Sequence, residues 1–347
     1  MDISITEFLD NTRKLKEHIA GLQSIKKYFD SKLESEEEVA KQTLRIIQRD
    51  KVFNYRANVI SLYGDFEQFV ESVIGEYIAN LSVLLPNYRD LNKSLQENYP
   101  NLMFSLYRKL HYPKFSAIKD TDITQSLYDT INQNLSKVKS EAFIQNGGNY
   151  RQDEISNALN RFGVSELSAK LKFYRPLYNR LISEYTEAAI GSLKTDEAYA
   201  RLNEFVDRRN DIAHGVNQMP IVGDEDFTPL FIDYIEDYAK SLNSFLEDHL
   251  YAIRYQAAQA YTPLRVFSLR EKDKPKTIMG IELEDMEIHV GQKLMCLHPS
   301  CPIYEEMNIE GICDDRTPVD AFTITEKRPI GIKVSAPITE GCRFIFL

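Results

Sequence analysis

The chain has no tryptophan, four cysteines, and only fourteen glycines and thirteen prolines among its 347 residues. So few turn formers and helix breakers favour long uninterrupted elements, and helices fit that economy best. No stretch reaches the eighteen or so apolar residues of a membrane-spanning helix, and no basic start followed by an apolar run marks a secretion signal. The expectation is a soluble, cytoplasmic protein without membrane contact. All four cysteines, Cys296, Cys301, Cys313 and Cys342, fall in the last fifth of the chain. Without a secretion signal they read as free thiols rather than disulfides. Positive charge is also short, with 42 Lys and Arg against 52 Asp and Glu and a formal charge of −10. Generic phosphate binding rests on a basic surplus, so any nucleic-acid site has to be local.

What the chain does have is helical periodicity. From Ile3 to about Ala257, apolar residues recur at spacings of three and four over windows too long for strands. The pattern predicts helices over Ile5–Phe29 and from Ser35 to just before Pro86, with a break allowed near Asp50. Shorter ones are predicted over Pro100–Leu110, with the proline in the first turn, and over Asp122–Lys137, Gln152–Phe162, Val164–Phe173 and Leu177–Ile190. Gly147, Gly148 and Asn149 mark a turn. A helix over Asp196–Ala213 carries Ala198, Leu202, Phe205 and Val206 on one side and is stopped by Gly215, which puts His214 at its end. A last helix carries Phe231, Tyr234, Ile235, Tyr238, Leu242, Phe245, Leu246 and His249 to about Tyr255, its tyrosines spaced like a core stripe. Beyond Pro263 the pattern changes to short runs of period two, in Leu264–Leu269, Thr277–Ile281 and Gly331–Val334. The expected architecture is mainly α: a helical domain over 1–257, including an N-terminal helical extension over 1–50, followed by a small all-β, barrel-like domain over 263–347.

The segment Asp207-Arg208-Arg209-Asn210-Asp211-Ile212-Ala213-His214-Gly215 carries the chemistry. An arginine, Arg209, is followed directly by a polar residue, Asn210, and after four intervening residues by His214. Late in a helical domain and ahead of one more amphipathic helix, this resembles the signature of the HEPN superfamily of ribonucleases. Upstream, Tyr63-Gly64-Asp65-Phe66-Glu67-Gln68-Phe69-Val70 looks like the early helix of bacterial HEPN groups from toxin and phage-defence loci. The resemblance, to the RiboL-PSP-HEPN or MAE-like groups, covers about Asp50 to Ala257. It implies a HEPN-type helical bundle, RNA as substrate, a homodimer with its cleft at the interface, a toxin or antiviral role against RNA such as tRNA or mRNA, and an antitoxin or defence-system partner protein. Some HEPN toxins carry a tyrosine two positions after the histidine, where a partner nucleotidyltransferase modifies it; Val216 stands there instead, so that control is not expected.

The residue types suit cleavage without a metal. A group has to take the proton of a ribose 2′-hydroxyl, and a fixed cation has to stabilise the charge growing on the attacked phosphate. Imidazole titrates near neutral pH, so His214 can serve as base or as acid. Arg209 offers a permanently charged planar fork to phosphate oxygens. At about 100° per residue, Asn210 and His214 lie about 40° apart on the helix, but Arg209 and His214 about 140°. Either the helix end distorts or two protomers pool their motifs. Against a catalytic role, Arg209 and Asn210 could pair with Asp207 and Asp211, and His214 could simply cap the helix. Arg208, four residues after Glu204, reads as one half of an exposed ion pair.

Other signals are weaker. Cys296, His298, Cys301 and Cys313 could supply zinc ligands, but without a pair of Cys-x-x-Cys knuckles they read as small apolar residues of a β core. No metal or cofactor is therefore expected. Ile288-His289-Val290-Gly291-Gln292-Lys293-Leu294 and Ile330-Gly331-Ile332-Lys333-Val334 resemble the β-barrel that follows the nucleotide-binding domain of translation GTPases. No glycine-rich phosphate loop, serine elbow or paired-histidine zinc motif occurs. The expected function is a metal-independent endoribonuclease acting through Arg209, Asn210 and His214. The alternative is a HEPN-like dimer that binds RNA or protein without cutting.

Overall fold

Apolar residues repeating at three and four commit the first two thirds of the chain to helix. A computed structural model describes all residues except 33–37, 133–137, 145–148, 217–218, 269–274, 299–303 and 316. The Gly147–Gly148 turn, the end of the helix expected to reach Lys137, Leu269 and Cys301 lie outside the described residues. The chain divides into two compact units, Met1–Glu247 and Asp248–Leu347, a division that falls inside the last helix.

The helices are α1 (Asp2–Ser31), α2 (Glu38–Leu84), α3 (Lys93–Arg108), α4 (Asp120–Ile131), α5 (Gln152–Asn160), α6 (Leu167–Lys170), α7 (Leu177–Glu184), α8 (Glu187–Ile190), α9 (Thr195–Ala198), α10 (Ala200–His214), α11 (Asp224–Phe227) and α12 (Asp233–Arg254). Helix α2 runs unbroken through Asp50. One face of it is the core, with Val59, Leu62, Phe66, Phe69, Val70 and Val73 at 1% exposure or less. Helices α10 and α12 complete that core, where Tyr63 meets Phe205 at 6.2 Å and Phe66 meets Tyr238 at 5.9 Å between ring centroids. The buried Tyr238 hydroxyl donates to Oε1 of the fully buried Gln152 at 2.7 Å, as a polar group in an apolar interior requires.

Two prolines sit inside helical segments, one of them, Pro100, where the pattern predicts a first turn. Pro100 lies in the middle of α3, which starts seven residues earlier than the pattern suggests because Asn92 caps it, accepting from Leu95 N–H at 2.8 Å. A proline lacks the N–H that would bond the carbonyl four residues back. That carbonyl, Gln96, instead accepts from the Tyr88 hydroxyl at 2.5 Å. Pro229 lies in a π-helical turn, Thr228–Ile232, between α11 and α12, and the widened turn accommodates a residue that cannot donate.

The second unit is a curled antiparallel sheet. Its strands are β1 (Pro263–Phe267), β2 (Ile278–Leu283), β3 (Met286–His289), β4 (Lys293–Leu297), β5 (Tyr304–Asp314), β6 (Thr317–Val319), β7 (Ala321–Ile324), β8 (Arg328–Val334) and β9 (Arg343–Phe346). The order is β1-β2-β8-β5-β4-β9, with β6 paired to β5 and a separate β3–β7 ribbon. In β8 the alternation places Ile330, Ile332 and Val334 inside and Lys333 outside, the period-two signature of a sheet with one covered face. Tyr261, just ahead of β1, exchanges both backbone hydrogen bonds with Phe344 of β9 at 2.8 Å, so the two edges of the curl meet at one bridge.

The proline accommodation in α3 is testable by a double-mutant cycle. Tyr88→Phe should cost about 1 kcal/mol in denaturant unfolding. In a Pro100→Ala background, where residue 100 regains its N–H, the same change should cost close to nothing.

Candidate active site

Helix α10 is short, and its anchoring is local. It begins where Tyr199 leaves helical geometry (φ −117°, ψ 16°), so the single helix expected over Asp196–Ala213 is two, α9 and α10. The Tyr199 hydroxyl donates to the Ser168 carbonyl at 2.9 Å. Leu202, Phe205 and Val206 are fully buried and press the helix onto the core. At the far end Gly215 turns left-handed (φ 70°), and the N–H groups of Val216 and Gly215 donate to Asp211 and Ile212 carbonyls at 3.0 and 3.2 Å. This is the double closure that a glycine permits at a helix C-terminus, and it keeps α10 regular through His214.

The two adjacent arginines are held differently. Arg208 is not exposed, as its Glu204 spacing suggested, but 6% accessible. It donates to Glu204 from Nε and Nη2 at 2.9 and 2.7 Å, and from Nη1 to the Tyr55 hydroxyl at 2.9 Å and the Pro220 carbonyl at 2.7 Å. Its guanidinium also lies 5.4 Å from the Phe231 ring centroid. The burial comes from Tyr55 and Phe231, which no spacing within α10 could announce. Arg208 also lines a cleft of about 380 Å³ with Val52, Tyr55, Arg56, Asp211 and Met219.

Arg209 is half-buried. Its guanidinium lies 4.5 Å from the centroid of the Tyr63 ring on α2, close enough for a cation–π interaction. It donates to Asn210 Oδ1 at 3.2 Å. Among the described residues Arg209 pairs with no carboxylate. The nearby acids expected as rivals are otherwise engaged: Asp207 pairs with Arg151, and Asp211 accepts from Met219 N–H at 3.2 Å. Asn210 is half-buried and His214 exposed.

Helix α2 carries Tyr63 and Glu67 of the 63–70 stretch into this region, and with them come Glu71, Lys114 and Tyr150, which the motif did not indicate. The Tyr63 hydroxyl accepts from Tyr150 N–H at 3.1 Å, and the Tyr150 hydroxyl donates to Glu71 Oε1 at 3.0 Å. Lys114 pairs with the same Glu71 oxygen. Glu67, one turn from each of Tyr63 and Glu71, has its carboxyl pushed above the ordinary range, first by burial and then by Glu71, while Lys114 and Arg209 pull it back. The spacing Tyr63, Glu67, Glu71 is one face of a helix; that was the available signal. The 63–70 stretch and the Arg209 motif, read separately in the sequence, are thus in contact.

A helical domain closed by a motif-bearing helix and one long amphipathic helix is the architecture of the HEPN class. The RiboL-PSP-HEPN family profile matches residues 6–248, and the chain belongs to that family. The match takes in most of α1 and all of α2. No curated protein matches the chain. Membership points to a nuclease or RNA-binding role, and no helix among the described residues is long and apolar enough to cross a membrane.

The two arginines should separate in stability measurements. Arg208→Ala should destabilise by about 2 kcal/mol, because it strands the buried Tyr55 hydroxyl and removes packing against Phe231, whereas Arg209→Ala should cost about 0.5–1 kcal/mol, the size of a cation–π contact. Glu67 has a distinct pH signature. A folded-state carboxyl pushed up is most compatible with the fold when neutral, and its contribution is lost as pH rises through its folded value. Glu67→Gln should therefore raise the melting temperature at neutral pH, with a gain that shrinks as pH falls toward the ordinary carboxylate range of about 4.

Proposed function

We propose that this chain is a metal-independent endoribonuclease with Arg209, Asn210 and His214 as its catalytic residues, acting as a toxin or antiviral effector. The observation that carries the reading is the contrast within α10: Arg208 is consumed by the core, while Arg209 rests on Tyr63 with no carboxylate partner among the described residues, and His214 is exposed at the end of the same helix. A phosphate is the partner such a cation lacks. His214 would move the proton of the 2′-hydroxyl or of the leaving 5′ oxygen, Arg209 would hold the phosphate as its charge grows, and Asn210, through its bond to Arg209, would orient the guanidinium. The product expected is a 2′,3′-cyclic phosphate.

The working form in this reading is a homodimer. Because α10 stays regular to its last residue, distortion does not bring Arg209 and His214 together, and the separation of about 140° favours pooling across two protomers. Val39, Ile46, Phe53 and Ile60 of α2 supply an apolar surface for it. They stand seven residues apart and are 68%, 51%, 72% and 43% exposed, the spacing of a helix seam that meets another helix.

Purified protein incubated with total RNA and with tRNA in EDTA should cut, leaving cyclic phosphate ends, and His214→Ala and Arg209→Ala should not. Mixing the two inactive variants should bring cleavage back, since a mixed dimer keeps one Arg209 and one His214 on opposite chains. RNA binding without cutting by the wild type would leave the non-catalytic dimer; cleavage by His214→Ala would refute the assignment. Phe53→Glu should yield monomers in light scattering.

A further inference from the structure

Three metal-ligating side chains converge at one end of the β unit. Cys296 lies in β4, His298 immediately follows that strand, and Cys342 immediately precedes β9. Cys296 and His298 are two residues apart, and where the extended backbone of β4 continues by one residue they share a face. Strands β4 and β9 pair with Cys296 opposite Phe344 and Leu297 opposite Arg343. The same register continued by one residue sets His298 opposite Cys342. The ligand atoms of all three lie within 4.8 Å of one another, and Cys342 Sγ is 3.7 Å from His298 Nδ1.

We infer that Cys296, His298 and Cys342 form a zinc(II) site. In a tetrahedral zinc centre with bonds of about 2.3 Å to sulfur and 2.0 Å to nitrogen, ligand atoms lie about 3.5–3.8 Å apart. The Cys342–His298 separation already has that value, and no pair in the cluster needs to contract by more than about 1.3 Å to reach it. The donor chemistry fits as well, since two thiolates and an imidazole select zinc over the hard cations magnesium and calcium.

The surroundings are those of a ligand histidine. His298 Nε2 is 3.2 Å from Glu305 Oε2. With Nε2 donating to that carboxylate, the lone pair of Nδ1 is directed at the sulfurs, the carboxylate–histidine arrangement that fixes a ligand's tautomer. Cys296 and Cys342 are free and buried at 0% and 1% exposure. The ligand set differs from the one spacing suggested. Cys313 is not part of the cluster, and Cys342, distant in sequence, takes a place in it. These three ligands tie the end of β4 to the start of β9, with the fourth position of the tetrahedron left to water or another donor.

The full-length protein, purified without chelators, should carry about one zinc per chain by elemental analysis. Replacement by cobalt(II) should give a thiolate charge-transfer band and strong tetrahedral d–d bands, which report ligation even if a cysteine variant fails to fold. His298→Gln, at a partly exposed position, and Cys342→Ser should lose the metal, Cys313→Ser should keep it, and Glu305→Gln should weaken it about 10- to 100-fold. Failure of the wild type to hold zinc or to give the cobalt charge-transfer band would overturn the site. So would an unchanged zinc content in both His298→Gln and Cys342→Ser, or a Cys296–Cys342 disulfide as the state of the freshly purified protein.

Discussion

The packing of α10 on α2 decides what each residue of the motif can do. Phe205 and Val206 are buried in the core that α2 builds, and Tyr63 of α2 lies directly under the next turn. Once that face is set, a rotation of about 100° per residue distributes the rest. Arg208 turns inward to Tyr55 and Phe231, Arg209 is laid across Tyr63, and His214 emerges at the rim. Two identical side chains in succession therefore acquire opposite roles, one saturated by protein and one left with its fork open. Aromatic residues do this well because they offer a flat surface to a guanidinium without neutralising it.

The same logic governs the acids around the motif. Glu204, Asp207 and Glu71 each take one cation, Arg208, Arg151 and Lys114 respectively. The effect is that these three acids are each neutralised by a cation other than Arg209, in a chain whose formal charge is −10, while Glu67 stays without an ion pair among the described residues. A net charge describes long-range steering; it does not describe what a pairing pattern leaves open at close range.

The helical fold, the β character of the tail and the motif position were readable because each rests on local periodicity. Leu202, Phe205 and Val206 at helical spacing, and Ile330, Ile332 and Val334 at period two, announce their faces directly. What stayed hidden depends on partners far away in the chain. Arg208 reads as an exposed partner of Glu204 until Tyr55, more than a hundred residues earlier, covers it. Pro100 reads as a helix start because the hydroxyl that rescues its turn, Tyr88, belongs to a different element. Cys342 is invisible as a neighbour of Cys296 because only strand pairing brings them together. The unbroken run of α2 through Asp50 is a milder case, where an exposed polar position interrupts the pattern without interrupting the hydrogen bonds.

The bridge between Tyr261 and Phe344 joins segments from opposite ends of the β unit's sequence. Contacts of such long sequence separation form slowly, since chain entropy has to be lost before they contribute. Until that bridge forms, the curl has two open edges, each a row of unpaired N–H and C=O groups able to recruit another strand. With it the edges are tied together at one position only, since β1 and β9 themselves do not pair.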